Sequence, residues 1–212
     1  MSEAPEDVIH IPIEDVELEG ILEIPAGSSG LVVFAHGSGS SRKSPRNNFV
    51  AEVIRDRGLG TLLFDLLTEE EDQVSETRFD ISLLTDRLVA VTEWLREQAG
   101  TADLEIGYFG SSTGAAAALR AAARRPRDTG AVVSRGGRVD LASAVLEGVR
   151  APSLFIVGGA DTQVLELNRD AFEQLDCEKQ IEVIEGAGHL FEGEGELEAV
   201  AAIATDWFAT HL

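Results

Sequence analysis

Cysteine is nearly absent: the 212-residue chain has one, Cys177, set between Asp176 and Glu178. A single thiol excludes a disulfide framework and a cysteine-based metal site, and it suits a reducing compartment. Lysine is almost as scarce, supplying two of 17 basic residues (Lys43 and Lys179) against 38 acidic ones, for a formal net charge of −21. A surface this negative repels nucleic acid and anionic membranes, so neither is expected as a partner. It also repels itself. At about 1 M salt the Debye length falls to about 3 Å and that repulsion is screened, so the composition fits a halophilic source as well as an ordinary acidic bacterial enzyme. No apolar run approaches the ~18 residues needed to span a bilayer. Residues 1–8, MSEAPEDV, lack both the basic region and the apolar stretch of a secretion signal. The expectation is a soluble cytoplasmic protein forming one domain over residues 1–212, with folding burying roughly 70% of the unfolded chain's surface.

What is present centres on residues 104–125, LEIGYFGSSTGAAAALRAAARR. An apolar β-type run meets Gly110-Ser111-Ser112-Thr113-Gly114, and an alanine-rich helical run follows without a spacer. A Gly-x-Ser-x-Gly match is a weak signal in a glycine-rich chain, but its place between strand and helix makes it specific. Turning a strand into a helix within about two residues forces the central serine into a strained backbone geometry with its hydroxyl exposed above the sheet. A side chain on Gly110 or Gly114 would collide with the neighbouring strand or the helix over the turn. Only Ser112 has glycine two residues away on each side, which makes it the candidate nucleophile.

The flanking pattern is that of alternating strands and helices. Residues 8–13 and 16–24 alternate apolar and polar around Glu14-Asp15 as an antiparallel hairpin, and residues 31–35 are continuously apolar, as in a strand buried on both faces. Helices are expected over 45–57 and around Ile81, Leu84, Leu88, Val91 and Leu95, with strands at 61–66, 131–134, 153–157 and 180–184, and a final helix bearing Leu197, Val200, Ile203, Trp207 and Phe208. Glu69 to Asp72 reads as a solvated loop run. Only a short helical segment, 141–147, separates two of the strands, leaving no room for a cap domain.

Several strands end in residues with chemical potential. The first parallel strand runs into His36-Gly37-Ser38-Gly39, a glycine-rich turn able to present a backbone N–H to a developing oxyanion, with the amide of Thr113 as the other donor. Ser38 is the expected loop donor, with Gly37 next to it as the alternative. His36 reads as a hydrogen-bonded strut ahead of a catalytic base. The loop lacks the Gly-Lys-Ser/Thr of a phosphate-binding P-loop. Another strand ends in Gly158-Gly159-Ala160-Asp161, and the last leads through Gly186-Ala187-Gly188 to His189. The order Ser112, Asp161, His189 is the hydrolase order of nucleophile, acid and base. A serine hydroxyl needs imidazole to remove its proton, and the imidazole needs a carboxylate to fix its tautomer. Asp140 is the rival acid. Arg135, at a strand's carboxyl end beside a double glycine, could hold a substrate carboxylate or could pair with Asp140 or Asp161. Gly37, Arg46 and Arg135 are the candidate substrate contacts.

The segments HGSGSSRKSPRN, GYFGSSTGAAAAL, VVSRGGRVDLA, FIVGGADTQVLELN and GAGHLFE together resemble the dienelactone-hydrolase-like group of α/β-hydrolases, over nearly the whole chain. The resemblance implies a minimal α/β-hydrolase fold: a mostly parallel sheet, helices on both faces, an N-terminal antiparallel hairpin and no cap. It implies Ser112, Asp161 and His189 as triad, with amides of Ser38 and Thr113 as oxyanion donors. Dienelactone hydrolases proper use cysteine as nucleophile; here Ser112 takes that place. Hydrolase domains of this look are sometimes attached to phosphoribosyltransferases. The expected activity is a carboxylesterase-like serine hydrolysis of small soluble esters, needing neither cofactor nor metal. The alternatives are thioester or lactone hydrolysis, or a non-catalytic binding protein on the same fold.

Overall fold

Strands that are apolar at every position must be covered on both faces, and this chain covers them with helices. A computed structural model describes residues 8–212. Eight strands form one sheet: β1 (Val8–Ile13), β2 (Val16–Glu23), β3 (Gly30–Ala35), β4 (Gly60–Phe64), β5 (Glu105–Ser111), β6 (Thr129–Arg135), β7 (Ser153–Gly158) and β8 (Lys179–Ile184). Their order across it is β1-β2-β4-β3-β5-β6-β7-β8. β2 pairs antiparallel with β1 and with β4, and every other pairing is parallel. The hairpin follows from alternation, which buries Ile11, Ile13 and Leu18 on one face. In β3, β4 and β7 no residue is exposed. The expected α/β-hydrolase architecture is present, without a cap: a 3-10 segment, Val139–Gly148, is the only element between β6 and β7.

One face of the sheet is covered by α1 (Pro45–Asp56) and the C-terminal helix α7 (Glu196–His211), which close over Val32, Phe34, Phe109, Val133 and Ile156. Ser44 caps α1, with Pro45 in its first turn where a missing N–H costs nothing. The other face carries α4 (Ile81–Glu97), α5 (Thr113–Arg124), the 3-10 segment and α6 (Thr162–Gln174). Six of the seven alanines of α5 are fully buried, so this helix lies wedged between the sheet and its neighbours, and small side chains are what allow the close approach.

Two local expectations differ from the structure. Glu69 to Asp72 is no open loop but a one-turn helix, α2 (Glu69–Asp72), followed by α3 (Ser75–Arg78). Thr68 builds a capping box: its hydroxyl accepts from the Glu71 amide while the Glu71 carboxylate accepts from the Thr68 amide. Carboxylates at a helix N-terminus meet the positive end of the backbone dipole, and Arg87 reaches Glu71 at 2.7 Å to complete the arrangement. Helix α6 has no counterpart in the sequence expectations, although its buried Val164, Leu165, Asn168 and Ala171 lie at helical spacing.

Candidate active site

Ser112 stands between the last residue of β5 and the first of α5, at φ 49° and ψ −121°. A positive φ on a residue with a Cβ costs on the order of 1–3 kcal/mol, so the surroundings must hold it. Its amide donates to the Arg135 carbonyl of β6 at 3.2 Å, and its carbonyl accepts from Ala115 at 3.1 Å and from Arg138 at 3.0 Å. The two glycines are there for space. A Cβ on Gly110 would overlap the Ala115 backbone, and one on Gly114 would overlap the carbonyl oxygen of Ala35 in β3. The elbow is thus pinned from three sides while Ser112 itself remains partly exposed.

The structure brings Asp161 and His189 together. Nδ1 of His189 lies 2.7 Å from Oδ2 of Asp161, whose side chain is 17% exposed against 39% for the imidazole. The loops that carry them are stitched to each other: Ala160 donates to the Ala187 carbonyl at 2.9 Å, and Gly158 leaves room for that carbonyl where a Cβ would overlap it. The imidazole lies over Gly136 at the end of β6, so that a Cβ there would sit 3.5 Å from its Nδ1 and Cε1. A proton on Nδ1 directed at the carboxylate leaves Nε2 as the basic nitrogen. The rival acid, Asp140, is occupied by a two-bond pairing with Arg138, both at 2.9 Å.

Gly37 lies flush against the nucleophile, since a Cβ on it would come within 3.1 Å of the Ser112 Cβ. The Ser38 amide donates at 2.9 Å to the side-chain oxygen of Thr113. Both amides expected at the oxyanion are therefore next to one another, one of them already engaged with the other residue's hydroxyl. His36 is a strut: Nδ1 donates to the Gly37 carbonyl at 2.9 Å and Nε2 accepts from the Leu66 amide at 3.0 Å. Burial pushes its pKa below the ordinary imidazole value, outweighing the Gly37 bond and the nearby Asp65 and Asp72. Ser111 is turned away, buried and donating to Asn47 of α1 at 3.3 Å.

Arg46, the second residue of α1, pairs with Glu192 at 2.7 Å. Arg135 pairs with neither Asp140 nor Asp161. It is 9% exposed, its guanidinium lies 6.0 Å from the centre of the Phe191 ring, and Nε and Nη1 are buried without a partner among the described residues. Burial, with Arg46 adding to it, lowers its pKa to about 10. A cleft of about 410 Å³ is lined by Glu17, Glu19, His36, Arg42, Asp65 and Glu69, and the three residues of the expected triad do not line it. Sequence reading did not single out the Thr113 side chain, Gly136 or Asn47. The signals were the hydroxyl in GSSTG and the second glycine pair in SRGGR, but nothing in a linear pattern says which atoms meet.

Among proteins of known sequence, two from Mycobacterium tuberculosis, strains CDC 1551 and H37Rv, that carry phosphoribosyl transferase in their names are 53% identical to this chain over 207 residues. The match takes in 98% of this chain but 47% of theirs, so the chain spans about half the length of these relatives. The crystal structure of a dienelactone hydrolase from Anabaena variabilis ATCC 29413 superimposes with a TM-score of 0.95 at 53% identity, covering 97% of both chains. Est1E from Butyrivibrio proteoclasticus superimposes at 0.82 with 14% identity, covering 96% of this chain and 98% of that one, a likeness of fold. Residues 49–211 match the dienelactone hydrolase family, from the middle of α1 to the end of α7. With its fold, its elbow and this match in agreement, the chain belongs to the dienelactone hydrolase family.

Proposed function

We propose that the protein is a serine hydrolase that cleaves small soluble carboxylic esters through an acyl-enzyme on Ser112. The observation that carries this reading is the 2.7 Å bond between Asp161 and His189 on loops adjoining the strained turn that displays Ser112. On this reading Ser112 Oγ attacks the ester carbonyl while His189 Nε2 takes its proton, and Asp161 steadies the imidazolium. The tetrahedral oxyanion collapses, the C–O bond to the alcohol breaks, and His189 returns the proton to the departing alkoxide. Water then attacks the acyl carbonyl while His189 takes its proton, the ester bond to Ser112 Oγ breaks, and His189 returns the proton to Ser112 as the carboxylic acid leaves.

The short 3-10 segment between β6 and β7 favours short esters, because among the described residues no cap closes over the acyl chain to bury a long one. Gly37, against Ser112, fits a place beside the scissile carbonyl. Arg135, whose Nε and Nη1 are buried without a partner among the described residues, fits an anionic group on the substrate, with Arg46 at the margin. Lactone hydrolysis is the second reading, favoured by the 53% identity to a protein described as a dienelactone hydrolase. A lactone uses the same steps, with the leaving alkoxide still tethered to the acyl group.

Hydrolysis of a short-chain p-nitrophenyl ester tests the assignment. Ser112→Ala is expected to lower kcat by about 10⁴-fold or more, and Asp161→Asn by about 10³–10⁴-fold. Undiminished turnover in Ser112→Ala would remove the reading, and failure of a fluorophosphonate to label Ser112 in the folded protein would favour a non-catalytic binder. A panel of esters, thioesters and lactones separates the two substrate classes.

A further inference from the structure

Oxyanion stabilisation needs hydrogens that are free to point at the charge as it develops. The amide of Ser38 has one hydrogen, and it is directed at Thr113 Oγ1 at 2.9 Å. The Thr113 oxygen is thereby an acceptor, and the hydrogen of its own hydroxyl has no acceptor among the described residues. Thr113 is 3% exposed, so this hydroxyl does not face bulk water. Its backbone N–H is likewise unclaimed, as the first amide of α5.

We propose that the Thr113 hydroxyl is itself an oxyanion donor, so that Thr113 supplies two hydrogens, backbone N–H and side-chain O–H, and Ser38 acts one bond further back by polarising the hydroxyl. The inference rests on the serine-hydrolase reading of Ser112. The chemistry favours the relay over direct use of the Ser38 amide. A hydroxyl that accepts a hydrogen bond becomes a stronger donor, and in a buried site that polarisation is not diluted by water. Aiming the Ser38 N–H at the oxyanion would instead break a formed, part-buried bond at each turnover. The buried β-carbon of Thr113 also fixes the hydroxyl, since Cβ carries a methyl that restricts its rotamer. Ser38 becomes a positioning residue and Thr113 a catalytic one.

Three variants measured on a short p-nitrophenyl ester decide this. Thr113→Val replaces the hydroxyl with a methyl of nearly the same volume, and it is expected to lower kcat by about 10- to 100-fold with KM within about twofold. Thr113→Ser keeps the hydroxyl and is expected to stay within about threefold of the parent. Affinity for a trifluoromethyl ketone, whose serine adduct carries the oxyanion, should fall in Thr113→Val by the same factor as kcat/KM, a correlation that loss of packing does not produce. Thr113→Ala repeats the comparison should the valine disturb folding, which circular dichroism reports. A Thr113→Val enzyme as fast as the parent or faster overturns the proposal, because the hydroxyl would then be only a resting cap on the Ser38 amide. Equal losses in Thr113→Ser and Thr113→Val overturn it too. A parent protein without turnover or Ser112 labelling removes the serine-hydrolase reading and this proposal together, whereas an active parent with an indifferent Thr113→Val removes this proposal alone.

Discussion

His36 shows how a single side chain sets a condition on the whole site. Its Nε2 accepts from Leu66 and its Nδ1 donates to Gly37, so only the neutral ring satisfies both bonds, and burial holds its pKa below the ordinary value of 6.5. The unfolded chain takes up a proton below about pH 6.5 that the folded chain resists. Stability is therefore complete above that pH and falls as pH drops through it, with a limiting slope of about 1.4 kcal/mol per pH unit. Urea midpoints between pH 7.5 and 5 should fall in the parent and fall less steeply in His36→Gln; parallel curves would mean that His36 does not carry the effect. His36 is also far more enclosed than His189, which is the proposed base.

At the level of elements, the strand-to-helix turn is a problem of space. β5 and α5 approach so closely that the backbone of β3 touches the turn, and Gly114 faces the Ala35 and His36 carbonyls directly. Backbone atoms cannot swing aside as a side chain can. Gly114→Ala is expected to cost about 3 kcal/mol or more and to displace Ser112, whereas Gly100→Ala, beyond α4 with nothing within 4 Å, should change stability by less than about 0.5 kcal/mol. Urea unfolding of the pair checks this, and equal effects would show that the turn yields more readily than its contacts suggest. The need for glycine at 110 and 114 was legible in the pattern itself. Helix α6 was equally legible, since Val164, Leu165, Asn168 and Ala171 recur at helical spacing. The one-turn helix α2 was not, because four consecutive acids form a helix only when Thr68 caps them and Arg87 neutralises one.

Across the whole molecule, charge is the dominant long-range term. With 38 acidic residues against 17 basic ones, ion pairs such as Arg46–Glu192 and Arg125–Glu93 still leave a net charge of −21. Such exposed pairs contribute little individually, but net repulsion acts against the folded state everywhere. Thermal melts from dilute buffer to about 1 M KCl should rise by a few degrees, corresponding to about 1–2 kcal/mol of screened repulsion. A flat profile would show that the acidity carries no dependence on salt. Among the described residues no helix is long and apolar enough to cross a membrane.

What the sequence determined by itself was everything encoded by local spacing: the parallel strands as unbroken apolar runs, the hairpin by alternation, the elbow by two glycines around Ser112, and the chain order of serine, acid and histidine. These are short-range constraints, imposed by backbone sterics and by which face a side chain takes. Only the tertiary structure decided the contacts between distant segments. It joined Asp161 to His189 across 28 positions, gave Asp140 to Arg138, left Nε and Nη1 of Arg135 buried without a partner among the described residues, and turned the Ser38 amide onto the Thr113 hydroxyl. The physical reason is that a hydrogen bond is won or lost over less than 1 Å, and that distance is set by how β3, β5, β6 and β7 align side by side, which no single segment specifies.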